Sequence, residues 1–196
     1  KLLAMKLRSV AVFRNLLSDD VIKALLELLL SADEDASEKV NKYGNFVYEL
    51  YAHTDNLSRY ILNIVTNDEN VFIKKVAGGQ IVSDEINECV RAELSVFEEI
   101  SRLTPDKMRD FVGFDGFLPS WKTRETDFLT EYFNRCADIG KFGYGIYAKY
   151  HMFNVKDGVI CPVKHPDPVT LADLSGYKNE RQAVIDNTKA LLEGKP

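Results

Sequence analysis

A chain of 196 residues that is 45% hydrophobic carries enough apolar material to bury a core, which excludes wholesale disorder. Its 25 basic residues against 30 acidic ones leave a net charge of −5, so no nucleic-acid partner is expected, because such surfaces need a basic footprint to displace counterions. Three widely spaced cysteines, Cys89, Cys136 and Cys161, offer no pairing framework and read as reduced thiols of a cytoplasmic protein, and no run approaches the ~18 apolar residues of a membrane span.

Lys1 to Val12 mix leucines with Lys6 and Arg8 and lack the apolar stretch of a signal peptide. From Leu16 to Cys136 the apolar residues recur at a helical period broken by short polar stretches. Asp19 and Asp20 offer a cap to the run Val21 to Leu30, which ends in Asp33-Glu34-Asp35. Tyr43, Phe46, Val47, Leu50 and Tyr51 share a helical face. Asp55 or Asn56 can cap a following helix carrying Leu57, Tyr60, Ile61, Ile64 and Val65. Ser83 before Asp84 and Glu85 opens a long helix with Ile86, Val90, Leu94, Phe97 and Ile100 inward. Thr104-Pro105 starts a short helix to about Phe111, Gly113, Gly116 and Pro119 interrupt, and Phe128 to Cys136 form another helix ending near Gly140.

The pattern changes at Phe142. Ile146 to Val155 are aromatic and β-branched, and Lys156-Asp157-Gly158 separates them from Val159-Ile160-Cys161, which predicts a β-hairpin because Asp-Gly tolerates positive φ. The aromatics Phe142, Tyr144, Tyr147, Tyr150 and Phe153 read as packing of that sheet. His165-Pro166-Asp167-Pro168 is a stiff connector, and a last helix runs from about Lys178 to Glu193 with Gly194 at its stop. Its stripe of Val184, Ile185, Thr188, Leu191 and Leu192 needs a cover, and docking in cis or against another copy is expected.

Chemistry-bearing motifs are sparse. No G-x-x-x-x-G-K-[ST] occurs: Gly78-Gly79 lacks a following Lys-Ser/Thr, and Gly194-Lys195 meets Pro196. Leu28 to Glu34 and Ile81 to Glu85 imitate a Walker-B strand but read as a helix end and a helix start. His151, Cys161 and His165 lack the paired spacing of a structural zinc site. His53 reads as a solvated or capping residue, and the carboxylate pairs Glu98-Glu99 and Asp33-Asp35 as solvated helix faces. Trp121, after Leu118-Pro119-Ser120, reads as a core anchor.

Two stretches carry a resemblance. Gly143-Tyr144-Gly145-Ile146-Tyr147-Ala148-Lys149-Tyr150-His151, and His165-Pro166-Asp167-Pro168-Val169-Thr170-Leu171-Ala172-Asp173-Leu174-Ser175-Gly176-Tyr177, closely resemble the predicted bacterial AAA ATPases grouped as domain-of-unknown-function family 815. Asn187-Thr188 and Leu191-Leu192-Glu193-Gly194-Lys195-Pro196 extend the likeness, and Phe13-Arg14-Asn15-Leu16-Leu17 with Leu118-Pro119-Ser120-Trp121 continue it more loosely. The resemblance implies an ATPase whose P-loop, ATP and Mg²⁺ sites follow this chain. It also implies that the turn Asp173, Leu174, Ser175, Gly176 and Tyr177 lies on the adenine side of the bound nucleotide.

The expected architecture is mainly α: a helical domain over 1–140, a β-hairpin over 141–163, and over 164–196 a connector with the first helix of an AAA-type α/β module. The expected function is a substrate-recruiting or regulatory N-terminal domain, without ATPase activity of its own and without a cofactor or metal. Its partners would be the ATPase module in cis and a protein client, with no membrane and no nucleic acid. The alternative is a free-standing helical protein-interaction module.

Overall fold

The computed structural model describes residues 1–171, 173 and 175–194, without the side chains of residues 141 and 142. Contacts divide the chain into two compact units, Lys1–Lys149 and the residues from Tyr150 onward.

The first unit is helical throughout. Its helices are α1 (Leu2–Arg8), α2 (Asp20–Leu30), α3 (Ala36–Tyr51), α4 (Leu57–Thr66), α5 (Val71–Ala77), α6 (Asp84–Ser101), α7 (Pro105–Val112), α8 (Phe128–Ala137), α9 (Ile139–Phe142) and α10 (Ile146–Lys149). Local chemistry sets most starts. Asp19, Asp35, Asn56, Asn70, Thr104 and Asp127 each accept a backbone N–H from the first turn of the helix that follows. Pro105 occupies the first turn of α7, and Gly113 at φ 70° ends it in the left-handed conformation.

Helix α6 is the centre of packing and touches α1, α4, α5 and α8, while α2 packs on α1 and α3. Val90, Leu94, Phe97 and Ile100 follow the inward stripe of α6, and each is fully buried. Around Phe97 the rings of Phe13, Tyr132, Phe72 and Phe133 interlock edge-on or tilted, with centroids 5.3–6.0 Å apart. Trp121 is buried where it meets the edge of Phe46 at 5.1 Å, and its indole N–H donates to the Leu103 carbonyl at 2.9 Å. It anchors the bent connection between α7 and α8, as expected.

One inward position on α6 is ionic. Glu93 is buried, and its carboxylate accepts the N–H groups of Ala11, Val12 and Phe13 at 2.6, 3.1 and 2.9 Å and the Cys89 thiol at 3.0 Å. That turn of chain has no helical partner for these donors, so the carboxylate satisfies what the backbone cannot. Glu98 departs from the solvated role expected for it. It accepts the Phe128 N–H that opens α8 at 3.1 Å and pairs with Arg102 at 2.6 Å. Asp35 is exposed, as expected, and also caps α3 by accepting the Glu38 N–H.

The second unit begins with a hairpin of β1 (Phe153–Lys156) and β2 (Val159–Pro162), paired antiparallel from Phe153 opposite Pro162 to Lys156 opposite Val159. Asp157 and Gly158, at φ 50° and 77°, make the turn their sequence predicted. The hairpin is shorter than expected. Ile146–Lys149 form the helical turn α10 instead of a strand, because Gly143 and Gly145 at φ 66° and 54° break the extended run. Of the aromatics assigned to the sheet, Phe153 lies in β1, Tyr144 and Tyr147 lie ahead of it, and the Phe142 side chain is outside the described residues.

Helix α11 (Lys178–Leu192) follows the connector. None of its residues is buried, and Leu191 and Leu192 are 77% and 81% exposed. Among the described residues of its own unit, no element covers the stripe. Local bonds hold the helix instead, with Gln182 donating to Asp186 at 2.8 Å and the Thr188 hydroxyl donating to the Val184 carbonyl at 2.8 Å.

Candidate functional site

Two places are candidate sites, one in each unit. In the second unit, the N–H and hydroxyl of Thr170 both donate to the Asp173 carboxylate, at 2.8 and 2.6 Å. The Asp173 N–H returns to the Thr170 carbonyl at 3.0 Å. The hydroxyl first, and the N–H with it, hold the Asp173 carboxyl below the usual carboxylate range. Gly176 at φ 79° and Tyr177 at φ 50° then turn the chain into α11.

Asp173, Ser175, Gly176 and Tyr177 therefore share one exposed turn at the head of a helix, and Leu174 lies outside the described residues. A cavity of about 410 Å³ beside this turn is lined by Leu171, Lys178, Arg181, Gln182 and Ile185, the residues that flank the expected ones. Arg181 donates to the Leu171 carbonyl, which ties the connector to the first turns of α11.

In the first unit, an open cleft of about 960 Å³ runs along the outer faces of α4 and α8. The helical period explains which residues face it. Leu57, Tyr60, Ile61 and Val65 turn α4 inward and leave Arg59, Asn63 and, just past its end, Asn67 on the other side. Phe128, Tyr132 and Cys136 do the same for α8 and leave Glu131, Asn134 and Asp138 outside. At one end the His53 ring lies 5.1 Å from that of Tyr60, whose hydroxyl donates to Asp19 at 2.8 Å. Burial and the Asp19 carboxylate push that hydroxyl far up, which removes it as an acid or base near neutrality.

Along the cleft floor the amide of Asn67 donates to the Asn63 carbonyl and side-chain oxygen, both at 2.9 Å, and its own oxygen accepts from Arg135 at 3.2 Å. Cys136 beneath the cleft is pushed up to about 11 by burial, and Cys89 is raised by its bond to Glu93 and by burial, so neither thiol supplies a thiolate nucleophile at neutral pH.

Asp68, close to α5, is 9% exposed with one carboxylate oxygen unpartnered, and burial raises its pKa. Among the described residues there is no cluster of three or more metal-ligating side chains, and no helix is long and apolar enough to cross a membrane. The sequence signals the turn at 173–177 through its motif. It does not signal the cleft, whose residues look like any solvated helix face until two such faces are set side by side.

Compared with known proteins, the chain matches no family model, no curated protein and no solved structure.

Proposed function

We propose that this chain is the N-terminal, client-recruiting or regulatory part of a bacterial, cytoplasmic AAA-type ATPase. Residues 1–149 would offer the recognition surface, and residues 164–196 would lead into the ATP-hydrolysing module. The observation that carries this reading is the uncovered face of α11. A helix of 15 residues is marginal in water unless its apolar side is packed, and Val184, Leu191 and Leu192 have no cover within their own unit. The sheet of an AAA module, which the resemblance of residues 142–196 implies, is the cover that such a stripe fits. The exposed residues Asp173, Ser175, Gly176 and Tyr177, set against a small cavity with Leu171 and Ile185 as apolar lining, suit contact with the edge and face of a base.

ATP and Mg²⁺ belong in this reading to the module that carries the P-loop, since phosphate contacts supply most of the orientation and charge stabilisation in phosphoryl transfer. This chain alone is expected neither to hydrolyse ATP nor to bind it at micromolar concentration in a calorimeter; saturable micromolar binding would contradict that division of labour. The decisive test reads the gene beyond the codon for Pro196 and assays its product. The expected result is a strand and a G-x-x-x-x-G-K-[ST] motif directly downstream, with an ATPase rate that changes when residues 1–149 are deleted. A reading frame without a P-loop overturns the proposal and leaves the free-standing interaction module, which the self-contained core of the first unit also supports.

A further inference from the structure

We propose that the open cleft between α4 and α8 binds an extended stretch of polypeptide, recognised through its main chain. This deepens the recruiting role and rests on that reading for its purpose; the binding itself needs no ATPase.

Both walls of the cleft carry hydrogen-bonding side chains. On α4, the Asn63 side-chain oxygen is occupied by Asn67, which Arg135 holds in turn. The Asn63 amide therefore keeps its N–H donors for the cleft, with the Arg59 guanidinium one turn before it. On α8 and at its C-cap, Glu131 and Asp138 present carboxylate acceptors, with the Asn134 amide and the Arg135 guanidinium between them. Among the described residues, no partner within the chain occupies the side chains of Arg59, Glu131, Asn134 or Asp138.

Donors and acceptors set on facing walls fit an extended backbone, which offers C=O and N–H groups alternately along both of its edges. Glu131 and Asp138 stand seven residues apart on one helix side, a rise of about 10 Å, which is the reach of about three extended residues. Arg59 and Arg135 balance Glu131 and Asp138, so the lining carries no net charge from these four groups. That balance disfavours a polyanion and suits the neutral peptide unit.

The experiment titrates the uniformly ¹⁵N-labelled full chain with a library of acetylated, amidated hexapeptides and, separately, with free amino acids. The expected result is saturable millimolar or tighter binding by members of the capped library. It should move the side-chain amide resonances of Asn63 and Asn134, and free amino acids should cause no comparable shifts. The double variant N63A/N134A should weaken binding about tenfold, the loss of two modest hydrogen bonds, with an unchanged melting curve. R59A provides a second perturbation, at an exposed residue, should the first variant melt early.

The proposal is overturned if no hexapeptide shifts the spectrum, if the shifts map away from the cleft, or if neither variant alters affinity. Equal response to free amino acids, which would make the cleft a small zwitterion site, overturns it as well. A gene without a downstream P-loop leaves every one of these outcomes unchanged, so the two readings fail separately.

Discussion

Two buried carboxylates in the first unit face opposite circumstances, and the difference can be measured. Glu93 takes three backbone N–H groups and a thiol, so its removal strands donors that the fold has already taken out of water. Glu93→Ala is expected to destabilise the protein by at least about 3 kcal/mol in urea unfolding, at a cost of roughly 1–3 kcal/mol for each of the stranded backbone N–H groups. A loss below about 1 kcal/mol would mean that water reaches the turn at residues 11–13. Asp68 has the reverse problem, an oxygen without a partner and a pKa raised chiefly by burial from the ordinary 3.8. A carboxyl whose folded pKa lies above its unfolded value costs nothing below the unfolded value. It weakens the native state as the pH rises through the folded one. Asp68→Asn should therefore raise the melting temperature at neutral pH by a few degrees, and the gain should vanish near about pH 3. A gain of equal size at both pH values would show that ionisation is not the cause.

Helices were legible where the determining contacts are local. Asp19, Asn56, Thr104 and Pro105 lie within three residues of the groups they satisfy or start, and the helices begin where those residues place them. The same logic predicts that Gly113→Ala costs about 1 kcal/mol. A Cβ at residue 113 would meet no atom within 4 Å, so the whole cost is the left-handed backbone, and Gly113→Asn should lose less in thermal melts. Misreadings arose where distant residues decide. The run Ile146 to Lys149 has strand composition, yet Gly145 packs so closely on Glu69 that a Cβ there would stand 2.6 Å from the carboxylate, and the chain turns helical. Glu93 and Glu98 share a helix with exposed acids, and charge alone could not say which of them faces inward. The cleft between α4 and α8 was hidden for the same reason: each helix reveals its own polar face, whereas their juxtaposition belongs to the tertiary fold.

At the scale of the molecule, burial is concentrated in residues 1–149, and no described residue from Tyr150 onward is buried. Ending the chain after Lys149 should leave the cooperative melting transition within about 2 °C of the intact protein, because about 1 kcal/mol corresponds to 2–4 °C at this size. Residues 150–196 alone should melt without a sigmoidal transition by circular dichroism. A lost transition in the first piece, or a cooperative one in the second, would show that the division is misplaced. The long separation spanned by the Glu93 carboxylate also sets an order of events during synthesis. Phe13 and its anchor are 80 residues apart, and ribosomes add roughly 5–20 residues per second, so the N-terminal segment emerges about ten seconds before the group that fastens it. Through that interval Leu7, Val10 and Phe13 have no α6 to pack on, which makes this apolar segment of the nascent chain a natural place for a ribosome-associated chaperone to hold.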